Sequence, residues 1–182
     1  MYQINVVARL IVFINLTLFV KFITMTPNET LIHQFYTAFQ QKDVKTMQDS
    51  YDDGAVFNDA VFVNLDAQQV RAMWQMLLSR SGDMVMSFRN VKEEDDKVTA
   101  YWEAQYTFTA TGKKVVNKID AEFQIKDGKI IKHTDAFNFH KWARQAFGSG
   151  GLLLGWTNVF KEKVRQTAKK KLEEYMQKLS RQ

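Results

Sequence analysis

The sequence predicts an α+β domain: a cone-like curved antiparallel sheet wrapped around N-terminal helices, followed by a C-terminal helical extension. Three observations carry this expectation. Apolar residues recur at helical spacing in three stretches between Leu31 and Leu78, and the spacing changes to alternation from Met84 onward. A glycine-rich hinge, "GSGG" at 148–151, then separates the body from a basic amphipathic tail. Helices first and a strand meander afterwards is the order expected when helices are laid on one face of an antiparallel sheet.

The chain has 182 residues, 46% of them hydrophobic and 25% charged, which suits one soluble domain with appendages. The boundaries expected are 1–25 for an apolar N-terminal extension, 26–147 for the domain and 148–182 for the hinge and tail. The absence of Cys excludes disulfides and thiolate chemistry, and three scattered His (33, 133, 140) argue against a His-built metal site. No cofactor is expected. Residues 1–25 carry a net +2, residues 26–157 a net −2 and residues 158–182 a net +5. A slightly acidic body argues against a nucleic-acid-binding core, so no nucleic acid is expected as a partner.

The first segment, "VVARLIVFINLTLFVKFIT", has an uncharged run from Leu10 to Val20, short of the ~20 residues a membrane span needs. It fits the h-region of a secretory signal in length, but has no Lys or Arg before Arg9 and no A-x-A-like cleavage site. A third reading makes Met25 the start. If it is, the chain is expected in the cytoplasm; the other readings put it in the secreted or membrane-associated class. Immediately after Met25, "TPNE" offers Thr26 as N-cap, Pro27 at N1 and Glu29 at N3, a capping box.

The first helix carries the stripe Leu31, Ile32, Phe35, Ala38 and Phe39; Val44, Met47 and Tyr51 suggest a short second one. "YDDGAVFNDAVF" (51–62) reads as a strand, and Val70, Met73, Trp74, Leu77 and Leu78 as a third helix. Met84, Met86 and Phe88 alternate. After the acidic turn at 93–96, expected to be solvated, Val98 to Phe108 alternate again. "ATGKK" and "KDGK" are the turns around "VVNKIDAEFQI", and "IIKHTDAFNFHKW" closes the set. A curved sheet half covered by helices leaves a cone-shaped cavity, the place for binding or chemistry.

Asp59, Asp120 and Asp135 fall in strand-like segments, where Asp is depleted. Alternation puts Asp135 on the face of Ile131, His133, Phe137 and Phe139, the apolar side. Asp120 shares its face with Lys118, Glu122 and Gln124, a solvated pattern, while Asp59 is undecided because Asn58 offers the same polarity to the other face.

The stretches "FYTAFQQKDVKTMQDSYDDGAVFNDAVF" and "KIDAEFQIKDGKIIKHTDAFNF", within residues 28–147, resemble the nuclear transport factor 2-like superfamily, specifically its ketosteroid isomerase and SnoaL-like polyketide cyclase branch. The resemblance implies that Asp59 occupies the position of a general base and Asp120 that of a protonated oxyanion-hole donor. It puts Asp135 near the acidic catalytic residue of the similar limonene epoxide hydrolases. It also implies a frequent homodimer and a pocket for a small hydrophobic ligand, with Phe35, Tyr36, Phe57, Trp74, Trp102, Tyr106, Phe137 and His133 as lining. Two departures stand out. The isomerase's oxyanion Tyr aligns with Phe35, which has no donor, and Tyr36 lies about 100° around the helix. The epoxide hydrolase's Tyr-x-Asn aligns with Phe57 and Asp59. Isomerase- or cyclase-like proton transfer, water addition, and binding or scaffolding without turnover all stay open.

Past the hinge, Leu152, Leu153, Leu154 and Trp156 form an apolar knot, and Phe160, Val164, Ala168, Leu172, Tyr175 or Met176, and Leu179 a helical stripe ringed by Lys and Arg. The stripe suits packing on the domain or a partner copy; the basic ring leaves membrane-surface contact through 152–181 as the rival.

Overall fold

The structure, a computed structural model, describes residues 25–79, 82–150, 155 and 157–181. The N-terminal extension before Met25 and the apolar knot at 152–154 and 156 therefore lie outside the described residues.

Helix α1 (Pro27–Gln41) opens with the expected capping box: Glu29 N–H donates to the Thr26 hydroxyl and the Thr26 N–H to the Glu29 carboxylate. The same turn anchors the helix to the sheet. Asn28 donates to Glu93 at 2.6 Å, the Thr26 hydroxyl also donates to Glu93, and the Glu93 N–H donates to Glu29 at 2.9 Å. Glu93, expected in a solvated turn, is thus a docking residue. Ile32, Phe35, Tyr36 and Phe39 face the core. Helix α2 (Val44–Asp49) buries Met47, and Tyr51, expected on its stripe, instead begins strand β1 (Tyr51–Asn58). Helix α3 (Ala67–Ser79) buries Val70, Met73, Trp74 and Met76.

Strands β2 (Val85–Glu94), β3 (Lys97–Phe108), β4 (Lys113–Lys126) and β5 (Lys129–Phe137) form the antiparallel meander that alternation predicted. The sheet order is β1-β5-β4-β3-β2, with β1 joining β5 in parallel, a pairing that no local pattern reveals. Cross-strand register aligns Phe88, Trp102, Ile119 and Phe137 in one inward row. The next row inward is Ala100, Ala121 and Asp135, and beyond it lie Val98, Phe123, His133 and Phe57. The register shifts between Gln124 and Ile125, so Ile130 rather than Ile131 is the fully buried residue at the start of β5.

The closing strand ends earlier than expected. Asn138 accepts from the Lys141 N–H and caps helix α4 (Phe139–Phe147), so Phe139 and Trp142 are helical residues. Gly148 terminates α4 at φ +64, where a side chain would be strained and would also meet the Lys113 stem at 3.0 Å. Helix α5 (Asn158–Leu179) lays its apolar stripe on its own domain: Leu172 is buried in the main core, Ala168, Tyr175 and Met176 pack against that core, and Phe160 and Val164 pack beside Phe139 and Trp142. No helix among the described residues is long and apolar enough to cross a membrane.

Candidate ligand and acid–base site

Between the concave sheet face, α3, α4 and α5 lies a cavity of about 960 Å³. Its walls are mostly apolar. Phe57, Trp74, Trp102, Tyr106 and Phe137 line it, joined by Met73 and Phe62, and on the far side by Trp142, Phe160 and Val164. Two carboxyls open into it, Asp59 and Asp135.

Asp135 is placed by strand pleating. Its neighbours in register are Ala121 and then Ala100, whose small side chains leave the carboxyl room. Trp102 donates from Nε1 to Asp135 Oδ1 at 3.2 Å, and His133 Nε2 lies 3.1 Å from the same oxygen. His133 is fully buried, and its Nδ1 is 2.7 Å from the Tyr51 hydroxyl, which accepts from Trp74 Nε1 at 2.9 Å. Burial holds the Tyr51 phenol well above its ordinary pKa, so it keeps its proton; with the Asp135 carboxylate accepting at Nε2 of a neutral imidazole, the Tyr51 O–H donates to Nδ1. That leaves His133 Nε2 with the N–H that Asp135 accepts. One carboxylate oxygen is thereby fixed from two sides. Among the described residues Oδ2 has no hydrogen-bond partner, and Asp135 borders the cavity.

Asp59 does not sit inside a strand. β1 ends at Asn58, and Asp59 Oδ1 accepts from the N–H groups of Val61 and Phe62 at 2.6 and 2.5 Å, while its own N–H donates to the Phe62 carbonyl at 2.7 Å. This Asx-type turn ends the strand by offering the backbone a side-chain acceptor. The carboxyl is half-buried by its surface and borders the cavity. Desolvation pushes its pKa up to about 7, with the nearby Asp135 charge adding to the rise, against the pull of the two N–H groups and of Arg165. Tyr106 accepts from Trp142 Nε1 at 2.9 Å, and no described residue takes its own O–H proton. Burial raises its pKa, so it remains a donor.

Four sequence expectations need correction. Asp120 is exposed on the opposite face of β4, in register with Tyr101 and Ala136, beside Lys118–Glu103 and Lys97–Glu122 ion pairs of 3.5 and 3.0 Å. The alternation had it right; the oxyanion role implied by resemblance does not fit a side chain outside the cavity. Phe35 is buried beneath the cavity floor, edge-on to Tyr51, Trp74, Phe123 and His133. Tyr36 stacks on Phe88 with centroids 5.1 Å apart, away from the lining. His133 supports Asp135 from below rather than lining the cavity.

Lining residues that the pattern did not single out include Asn117, Trp142, Lys163 and Lys171. Asn117 had a signal, an amide in the apolar alternation Val115–Ile119–Ala121. Among the described residues no group of three or more His, Asp or Glu is placed to hold a metal ion.

The family model of the SnoaL-like domain matches residues 32–133. No curated protein matches the chain in sequence. Solved structures share the fold at low identity. A Mycobacterium tuberculosis LEH-like epoxide hydrolase is 17% identical with a TM-score of 0.55, covering 71% of this chain and 91% of its own. IdmH, a putative polyketide cyclase from Streptomyces antibioticus, is 18% identical at TM-score 0.54, over 65% and 96% respectively. An NTF2-like protein of unknown function from Burkholderia pseudomallei is 13% identical at TM-score 0.58, over 68% and 100%.

Proposed function

The chain belongs to the SnoaL-like domain family of the nuclear transport factor 2-like superfamily, and on that premise we propose that it binds a small, largely apolar molecule in the cavity and moves a proton on it. The observation that supports this reading is the pair of differently treated carboxyls in one apolar cavity. Asp135 is held as an acceptor by Trp102 and His133, while Asp59 titrates near neutrality.

In the isomerase- or cyclase-like version, Asp135 takes a proton from carbon next to a carbonyl. Tyr106 donates to the developing oxyanion and Asp59, in its protonated form, returns a proton. In the water-addition version, Asp135 takes the proton from water and Asp59 protonates the oxygen that leaves carbon. Binding without turnover is the second reading; the donor-less Phe35 at the isomerase's Tyr position favours it.

The test is deuterium incorporation into a panel of polycyclic ketones in D2O, followed by NMR. We expect exchange in the native chain and a loss of roughly 100-fold or more in Asp135→Asn. Ligand-induced shifts without any exchange above the Asp135→Asn background would sink the carbon-proton-transfer version and leave water addition and binding.

A further inference from the structure

Helix α5 lies beyond the residues that the family model matches, yet it supplies one wall of the cavity. Phe160, Val164 and Ala168 form its apolar line. Beside them Lys163, Thr167 and Lys171, all solvent-exposed, also border the cavity, spaced i, i+4, i+8, which stacks them on one line about 12 Å long at its rim. Two other cations of the helix are engaged in ion pairs: Arg165 approaches Glu162 at 3.7 Å and Lys169 approaches Glu173 at 4.0 Å. Among the described residues, neither Lys163 nor Lys171 has an ion-pair partner. Asp135 thus borders the cavity from the sheet and Asp59 from the turn after β1, while Lys163 and Lys171 border it from the helix.

We propose that the ligand is an amphiphilic anion, whose carboxylate or phosphate head meets Lys163 and Lys171 and whose apolar body reaches toward Asp135. This rests on the reading of the cavity as a binding site for a small apolar molecule, and it adds the charge and the orientation. A head turned inward would face Asp59 and Asp135, and like charges among mostly apolar walls repel. A wholly neutral ligand would draw nothing from two ammonium groups aligned on the wall.

The test uses the full chain with dodecanoate, dodecyl phosphate and 1-dodecanol below their micellar concentrations, read by quenching of Trp74, Trp102 and Trp142. The native chain should bind at least one of the anions about tenfold more tightly than the alcohol. In the double variant Lys163→Gln/Lys171→Gln that advantage should vanish while dodecanol affinity stays the same. Equal binding of all three probes by the native chain overturns the proposal, as does an unchanged double variant. A variant that loses dodecanol too would also overturn it, because the lysines would then act by holding the wall. If no probe binds, the cavity reading falls first and the proposal with it.

Discussion

Arg165 donates from Nε to the backbone carbonyl of Ala60 across 3.0 Å, joining positions 105 apart in sequence. Ala60 sits in the turn that Asp59 closes with its own carboxylate, so the C-terminal helix is tied to the backbone that aims a cavity carboxyl. The guanidinium also draws the Asp59 pKa down.

Removing that cation should therefore raise the Asp59 pKa above its present value of about 7. In Arg165→Ala, the pH at which the Asp59 side-chain carbon shift passes its NMR midpoint should move upward. An unmoved midpoint would mean that solvent already screens the guanidinium.

The same carboxyl makes stability depend on pH with a definite sign. Its folded pKa, about 7, lies above the ordinary carboxylate value near 3.9. Between those two pH values the folded chain holds a proton that the unfolded chain has released. Asp59 thus favours folding most below about pH 4, and that contribution is lost as pH rises through about 7. Urea unfolding from pH 5 to 8 should show the native chain losing ground to Asp59→Asn, whose amide oxygen still accepts from Val61 and Phe62. Parallel curves for the two proteins would sink this assignment.

A third change should stabilise. The Tyr36 hydroxyl is buried and has no hydrogen-bond partner among the described residues, although the ring packs well on Phe88 and Phe123. An unpaired buried polar group costs on the order of 1–3 kcal/mol. Tyr36→Phe keeps the ring contacts and removes that cost, so Tm should rise by several degrees.

Much of this arrangement was legible in the sequence because short-range chemistry writes it there. Thr26 and Glu29 announce α1, and the alternation from Val98 to Phe108 sets which side of β3 is buried. Alternation also placed Asp120 outside, correctly, against the role that family likeness implied for it. What escaped depends on partners distant in the chain. β1 pairs in parallel with β5 at the sheet edge, and nothing between Tyr51 and Asn58 encodes the direction of its neighbour. The Asn138 cap lies inside a run that reads as strand until the chain turns. The amphipathic stripe of α5 is plain, but periodicity tells that a face will be buried and not where; the cavity's cationic wall follows from that docking.

The last prediction uses the same edit as the third with the opposite expected sign. Tyr51 differs from Tyr36 in that its hydroxyl is used twice, accepting from Trp74 and donating to His133. Tyr51→Phe would leave the Trp74 N–H and the His133 Nδ1 unpaired in a buried site, and each orphan costs about 1–3 kcal/mol. The fall in Tm should therefore exceed the rise in Tyr36→Phe. His133 should also lose the constraint that keeps its N–H directed at Asp135, so ligand exchange that depends on Asp135 should slow in Tyr51→Phe and not in Tyr36→Phe. If both variants shift Tm in the same direction, the Trp74–Tyr51–His133–Asp135 chain is not the support it is argued to be.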